Sequence, residues 1–208
     1  MIKENIKKVL NDLKETDTKL IAVSKMQSID KIKIAYDMGI RDFGENKVQE
    51  LLFKKELLPS DIRWHMIGHL QTNKVKDIID KVYLIHSVDS IKLANKINDE
   101  AKKKGIIVNV LLEINIANED TKYGFDKNNI PINELNKLSN INIEGFMCVA
   151  PNTDNPNNNT IYFKEMNKLK NKYKYPILSM GMSNDYKEAI KEKSTYIRIG
   201  TKLFGPRI

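Results

Sequence analysis

Eight short apolar runs alternate with amphipathic segments along this chain, and the order never breaks. Strictly alternating strands and helices argue for a parallel sheet with helices outside it. Eight is the number that closes, so the expected fold is α/β: a (β/α)8 TIM barrel in a single domain, with an extra N-terminal helix. A third observation agrees, because glycines and chemically capable side chains recur just past the C-terminal ends of the apolar runs, where this fold gathers function. An open doubly wound sheet is the alternative. It leaves unpaired edge strands, and no proline or charge pattern marks an edge.

The N-terminal M-I-K-E-N-I-K-K-V-L-N-D-L-K reads as a charged amphipathic helix rather than a signal peptide. Strand one, Leu20 to Ser24, suits burial on both faces. Its helix has Ser28 as N-cap, Ile29, Ile32, Ala35 and Tyr36 on one face, and Gly39 as a stop. Strand two, Arg41 to Gly44, leads into E-N-K-V-Q-E-L-L, a helix that ends before Pro59. Strand three is Arg63 to Ile67, followed by a helix carrying Val75, Ile78 and Ile79. Strand four, Tyr83 to Ser87, precedes an Asp89-capped helix that ends at Gly105. Strand five is Ile107 to Ile114, and the next helix begins near Pro131, a good first-turn residue. Strand six, Ile143 to Val149, is followed by a helix through Phe163, Met166 and Leu169. Strand seven, Pro176 to Met180, precedes a helix with Tyr186, Ala189 and Ile190. Strand eight is Thr195 to Ile199, and a single turn from Thr201 to Phe204 closes the series. The two longest connections, Asn115 to Asn129 and Pro151 to Asn159, follow strands five and six. The first reads as a lid centred on Lys122, Tyr123 and Gly124; the second, P-N-T-D-N-P-N-N-N, reads as a polar, floppy loop without a site.

At 208 residues and 41% hydrophobic composition, the chain is long enough for one well-packed core and short for two. No run approaches the roughly 18 apolar residues of a membrane span, so a soluble, cytoplasmic protein with no membrane partner is expected. The single cysteine, Cys148, lies in an apolar run and reads as a buried structural thiol. A net charge of +8 invites a nucleic-acid reading. Its lysines are scattered among acids and amides, and no helix-turn-helix, zinc-finger or RNP signature accompanies them, so nucleic acid is not an expected partner. A field that attracts small phosphorylated anions is a secondary benefit.

The chemistry starts at Lys25, which ends the apolar strand L-I-A-V-S-K. A lysine at the rim of a sheet, with its stem among apolar neighbours, has its charged form disfavoured; the free amine condenses with an aldehyde or ketone. A solvated strand-end lysine is the plain alternative. L-S-M-G-M-S-N-D and R-I-G-T end strands seven and eight. There Gly181 and Gly200 admit a close ligand, Ser183 and Thr201 offer donors, and barrels often hold phosphate after these strands. Helix capping by Ser183 is the competing role, and Asp185 works against a dianion. Arg198 shares a strand face with Gly200 and Tyr196; if that face is interior, the guanidinium needs an acceptor, either a ligand or a carboxylate such as Glu113 or Glu45. An imine-forming amine, an anion site and a buried arginine suit a phosphorylated carbonyl compound. Both a sugar phosphate in a Schiff-base aldolase and pyridoxal 5′-phosphate (PLP) satisfy that description, and spacing leaves both open.

Seven ordered segments carry a resemblance: A-V-S-K from Ala22, F-G-E-N-K-V-Q-E from Phe43, W-H-M-I-G-H-L-Q-T-N-K from Trp64, H-S-V-D from His86, G-F-M from Gly145, L-S-M-G-M-S-N-D from Leu178 and R-I-G-T-K-L-F-G from Arg198. Over nearly its whole length the chain resembles the PLP homeostasis protein family, single-domain relatives of the alanine racemase N-terminal barrel. The resemblance implies that residues 1–208 form one PLP-binding barrel domain, with Lys25 in aldimine linkage with PLP. It implies that Ser183, Gly200 and Thr201 hold the phosphate beside the Met182 backbone, and that Arg198 meets the pyridine nitrogen. Asn46 looks like a second wall, its alternative being to cap the following helix. His65 is either near the ring or a packed core residue. Lys47 stands where the family often has an aromatic or another basic residue.

An arginine at the ring nitrogen disfavours its protonation and makes the ring a poorer electron sink, which suits holding PLP better than transamination. Racemases of this fold take a second acid-base group from an additional C-terminal β domain, and this chain, ending at Pro206, Arg207 and Ile208, is expected to lack it. The expectation is a protein without strong catalysis that buffers or delivers PLP in vitamin B6 homeostasis, with PLP-dependent apo-enzymes as recipients. An amino-acid racemase using Lys25 with Tyr123 or His65 as base is the alternative, and a sugar-phosphate aldolase the third reading.

Overall fold

The computed structural model describes residues 1–206; Arg207 and Ile208, the last two of the expected 1–208 domain, lie outside the described residues. The elements are α1 (Ile2–Leu13), β1 (Lys19–Val23), α2 (Ile29–Asp37), β2 (Asp42–Glu45), α3 (Val48–Leu57), β3 (Arg63–Met66), α4 (Val75–Ile78), β4 (Leu84–Val88), α5 (Ile91–Lys104), β5 (Val108–Asn115), β6 (Phe125–Asp126), α6 (Ile132–Leu135), β7 (Ile141–Met147), α7 (Thr160–Tyr173), β8 (Ile177–Ser179), α8 (Tyr186–Lys191), β9 (Tyr196–Ile199) and α9 (Thr201–Phe204). Short 3-10 turns at Thr72–Lys74 and Pro156–Asn159 lead into α4 and α7.

Eight strands pair in parallel and close. The order runs β4, β3, β2, β1, β9, β8, β7, β5, and β5 pairs back onto β4 with a register shift at Ile85 to Val88. The two-residue β6, absent from the sequence expectation, hangs on the end of β5 through Ile114 and Asn115. It falls inside the long 115–129 connection, whose polar composition hides so short a pairing.

Period-2 alternation divides the apolar residues into two separate cores. Ile21, Leu84, Leu111, Met147 and Tyr196 pack together inside the barrel. Leu20, Ala22, Phe43, Trp64, Ile85, Val110, Leu112, Phe146, Leu178 and Ile197 belong to the larger cluster between strands and helices. Because both faces are buried, the strands read as continuous apolar runs.

Local signals set the helix ends. Ser28 caps α2 by accepting the Lys31 N–H at 3.4 Å. Gly105 takes a left-handed conformation, φ +66°, to end α5. Ser90, not Asp89, caps α5, accepting the Leu93 N–H at 3.3 Å; Asp89 instead bonds His69 at 2.9 Å. Helix α1 buries Ile6, Val9 and Leu13, and is tied to the C-terminal elements by Asn5 Nδ2 to the Leu203 carbonyl (3.2 Å) and Tyr186 OH to Asp12 (2.6 Å). No helix among the described residues is long and apolar enough to cross a membrane.

Candidate functional site

A cavity of about 600 Å³ opens at the C-terminal mouth of the barrel, a volume typical of small-molecule sites. Lys25, Asn46, Met182, Ser183, Arg198, Gly200 and Thr201 all line it, so the structure brings together the seven residues singled out from the sequence. They come from the ends of β1, β2, β8 and β9, which the parallel barrel gathers on one rim.

Lys25 is partly buried, on a sharply bent segment. The next residue, Met26, has φ +59°, a conformation costly for a non-glycine residue. Its N–H donates to Glu50 Oε1 at 2.6 Å, and Lys54 Nζ donates to Glu50 Oε1 (2.6 Å), to Glu45 Oε1 (2.8 Å) and to the Ser24 carbonyl (2.6 Å). Ser24 Oγ donates to Glu45 Oε1 at 2.5 Å. This buried polar cluster fixes the backbone on both sides of Lys25. Glu45 Oε2 has no hydrogen-bond partner among the described residues, and burial raises the Glu45 pKa against the opposing pull of Lys54.

Arg198 is 4% exposed and pointed by two bonds: Nη1 donates to Ser179 Oγ (2.6 Å) and Nη2 to the Cys148 carbonyl (2.7 Å). These are its acceptors, in place of the carboxylates considered from sequence; Glu45 is instead bound to Lys54. Burial pushes its pKa down from an arginine's ordinary value, with Cys148, Glu113 and Asp185 opposing. Cys148 is fully buried, its thiol pushed up to about 12, so it acts through its carbonyl, and the thiol is inert.

The anion-site turns are held by their own polar groups. Gly181 has φ +89°, and a Cβ there would lie 2.5 Å from the Ala189 Cβ, so only glycine lets α8 sit this close. Ser183 does not cap α8; its Oγ accepts the Lys202 N–H at 3.3 Å, tying the two turns together. Asp185 commits both oxygens, Oδ1 to the Met182 N–H and Oδ2 to Asn159 Nδ2, each at 2.7 Å. Both donors are neutral, so Asp185 orders the loop while remaining part of the cavity lining. Asn46 does not cap α3 either, since Lys47 occupies that position without a side-chain bond. Asn46 lines the cavity with its backbone close against Gly68, where a Cβ would lie 2.5 Å from the Asn46 carbonyl oxygen.

Two expectations need correction. The 151–159 loop is part of the site: Pro151, Asn152, Thr153, Pro156 and Asn159 line the cavity, and Asn159 is 2% exposed. Its composition gave no sign of this, because Asn159 is ordered by Asp185, 26 residues away. His65, a candidate base for racemisation, is wholly buried in the barrel interior and bonded to Asp42 and His86, so it is the packed core histidine. The other candidate base, Tyr123, stacks on His69 with ring centroids 4.0 Å apart, and it is its neighbour Lys122 that lines the cavity.

Known proteins share both sequence and fold with this chain. Residues 1–207 match the family described as alanine racemase, N-terminal domain. A pyridoxal phosphate homeostasis protein of Aquifex aeolicus is 41% identical over 202 residues, covering 93% of this chain and 89% of that protein. PipY of Synechococcus elongatus PCC7942, solved with PLP bound, superposes with a TM-score of 0.88 at 33% identity, covering 99% of this chain and 100% of that one. An alanine racemase of Clostridium difficile 630 has a TM-score of 0.82 at 20% identity, covering 99% of this chain and 56% of that one, which shows a common fold.

Proposed function

Since the chain belongs to the pyridoxal phosphate homeostasis proteins of the alanine racemase N-terminal domain family, we propose that it binds PLP at the barrel mouth and buffers or delivers it inside the cell, without strong catalysis of its own. Residues 1–208 act as one PLP-binding domain in this reading, and PLP-dependent apo-enzymes are the recipients.

The observation that supports it best is the donor set of one cavity: an amine, a guanidinium and two hydroxyls, on Lys25, Arg198, Ser183 and Thr201. That set matches the aldehyde, ring nitrogen and phosphate of PLP. Bound PLP supplies an aldehyde that a lysine amine takes up reversibly, which allows retention and later release. Lys25 is the residue for that bond, and the polar cluster beneath it keeps the chain bend fixed. Ser183, Gly200 and Thr201, with the Met182 backbone, hold the phosphate; Asn46 walls the pocket. Arg198, held by Ser179 and Cys148, keeps a proton off the ring nitrogen, which lowers its use as an electron sink. Retention is favoured over reaction.

Absorption spectra of the wild type and Lys25→Ala test the binding. The wild type loaded with PLP is expected to be yellow, bleached by borohydride with the label on Lys25; an unchanged band in Lys25→Ala overturns the assignment. Single-enantiomer amino acids in deuterated water test the rest. Exchange of the α-hydrogen at enzymatic rates rejects the carrier role, and transfer of PLP to an apo-enzyme faster than its release into buffer upholds it.

A further inference from the structure

A file of hydrogen-bonded polar side chains crosses the barrel interior and ends at the cavity arginine. Arg198 Nη1 lies 2.6 Å from Ser179 Oγ, and Ser179 Oγ lies 2.9 Å from His86 Nδ1. His86 Nε2 is 2.9 Å from His65 Nδ1, and His65 Nε2 is 2.9 Å from Asp42 Oδ1. At the far rim, Arg63 grips Asp42 with Nε and Nη2 at 2.7 and 2.6 Å. Ser179 and both histidines are 0% exposed, and the rings are flanked by Tyr196. Closed off from bulk solvent, each of these atoms takes its neighbour in the file as its partner.

With one proton on each ring, the carboxylate end decides the sense of every bond in the file. A guanidinium only donates, so Ser179 Oγ accepts from Arg198, which leaves its own proton available to His86 Nδ1. His86 then carries its proton on Nε2 and donates to His65 Nδ1. His65 likewise carries its proton on Nε2 and donates to the Asp42 carboxylate, which only accepts. Four bonds run one way, with one proton on each imidazole. A second proton on His86 turns the Ser179 hydroxyl proton away from the file, and one on His65 without rearrangement of His86 sets two donors face to face.

We propose that His65, His86 and Ser179 are positioning residues for Arg198: a one-way chain of hydrogen bonds anchored on Asp42, with both histidines as neutral Nε2–H tautomers, orients the guanidinium plane at the cavity. Burial holds both histidine pKa values below the ordinary imidazole range, in keeping with neutral rings. The anchor stays ionised, because the bonds from Arg63 and His65 outweigh its burial and hold Asp42 at about 2. The chain itself stands on geometry; its consequence for the cofactor rests on the PLP reading above.

Nitrogen-15 NMR of histidine-labelled protein without ligand reads the tautomers directly. His65 and His86 are expected each to be protonated on Nε2 alone, without titrating while the fold persists. A doubly protonated His65, or either proton on Nδ1, overturns the chain. Ser179→Ala tests the consequence: PLP is expected to dissociate about tenfold faster and the bound cofactor's absorption band to shift, which a loss of barrel stability alone does not produce. An unchanged rate and band overturn the positioning role. Wild-type protein that takes up no PLP defeats the functional reading instead, and the ligand-free NMR result still decides the chain.

Discussion

Lys54 Nζ lies 2.8 Å from Glu45 Oε1, and the two side chains are 4% and 0% exposed. A lysine near the end of a helix is ordinarily solvated. Here its stem runs inward and its ammonium ties β2 to the strand end that carries Lys25. Removing one partner of a buried pair strands the other charge. Lys54→Met is therefore expected to cost about 3 kcal/mol, read as a lowered urea midpoint. Lys54→Met with Glu45→Gln recovers part of that loss, since the fully buried carboxylate is gone and only the more exposed Glu50 keeps its charge. A single variant as stable as the wild type contradicts the pairing.

Asp42 connects Arg63 to His65 at the rim opposite the cavity. Burial alone raises its pKa, but the bonds from Arg63 and His65 prevail and leave it at about 2, below its ordinary value of 3.8. A carboxyl lowered on folding contributes stability above its unfolded pKa and loses it as pH falls toward the folded one. About 2 kcal/mol is expected to disappear between roughly pH 4 and pH 2. Denaturant unfolding of Asp42→Asn across this range is expected to show a flatter dependence than the wild type.

Glu113 behaves in the opposite sense. Burial, aided by Asp89 and opposed by Arg198, pushes its carboxyl up to about 7. The folded state holds this proton more tightly than the unfolded chain, so stability falls as pH rises from about 4.5 to about 7 and then levels. Glu113→Gln removes the ionisation, and above pH 7 the variant is expected to exceed the wild type by about 1–2 kcal/mol. Thermal melts at pH 5 and pH 8 check the difference between the two curves.

Gly68 is the residue against which Asn46 rests. A Cβ at this position would lie 2.5 and 2.6 Å from the Asn46 carbonyl oxygen and Cα, both backbone atoms that cannot step aside. Gly68→Ala is expected to displace Asn46 from the cavity wall, cost about 1–3 kcal/mol and weaken PLP binding. Equilibrium dialysis against PLP beside a urea melt separates the two effects. Full affinity and full stability together refute the close approach.

Local chemistry made much of this protein legible. Strands stood out because burial on both faces demands unbroken apolar runs, as in Leu20 to Val23, and helix ends stood out where Ser28 and Gly105 meet local backbone needs. Eight such runs determined the closed parallel barrel, and closure placed Lys25, Asn46, Met182, Ser183, Arg198, Gly200 and Thr201 on one rim. Partners were another matter. Lys54 with Glu45, Asn159 with Asp185, and His86 with Ser179 join residues 9, 26 and 93 positions apart. The stagger between strands and the packing of each helix decide such meetings, and neither has a period in the sequence. A run of apolar residues reports that a strand is buried; only the closed barrel decides which polar atoms share that interior, because there each must find a partner in place of water.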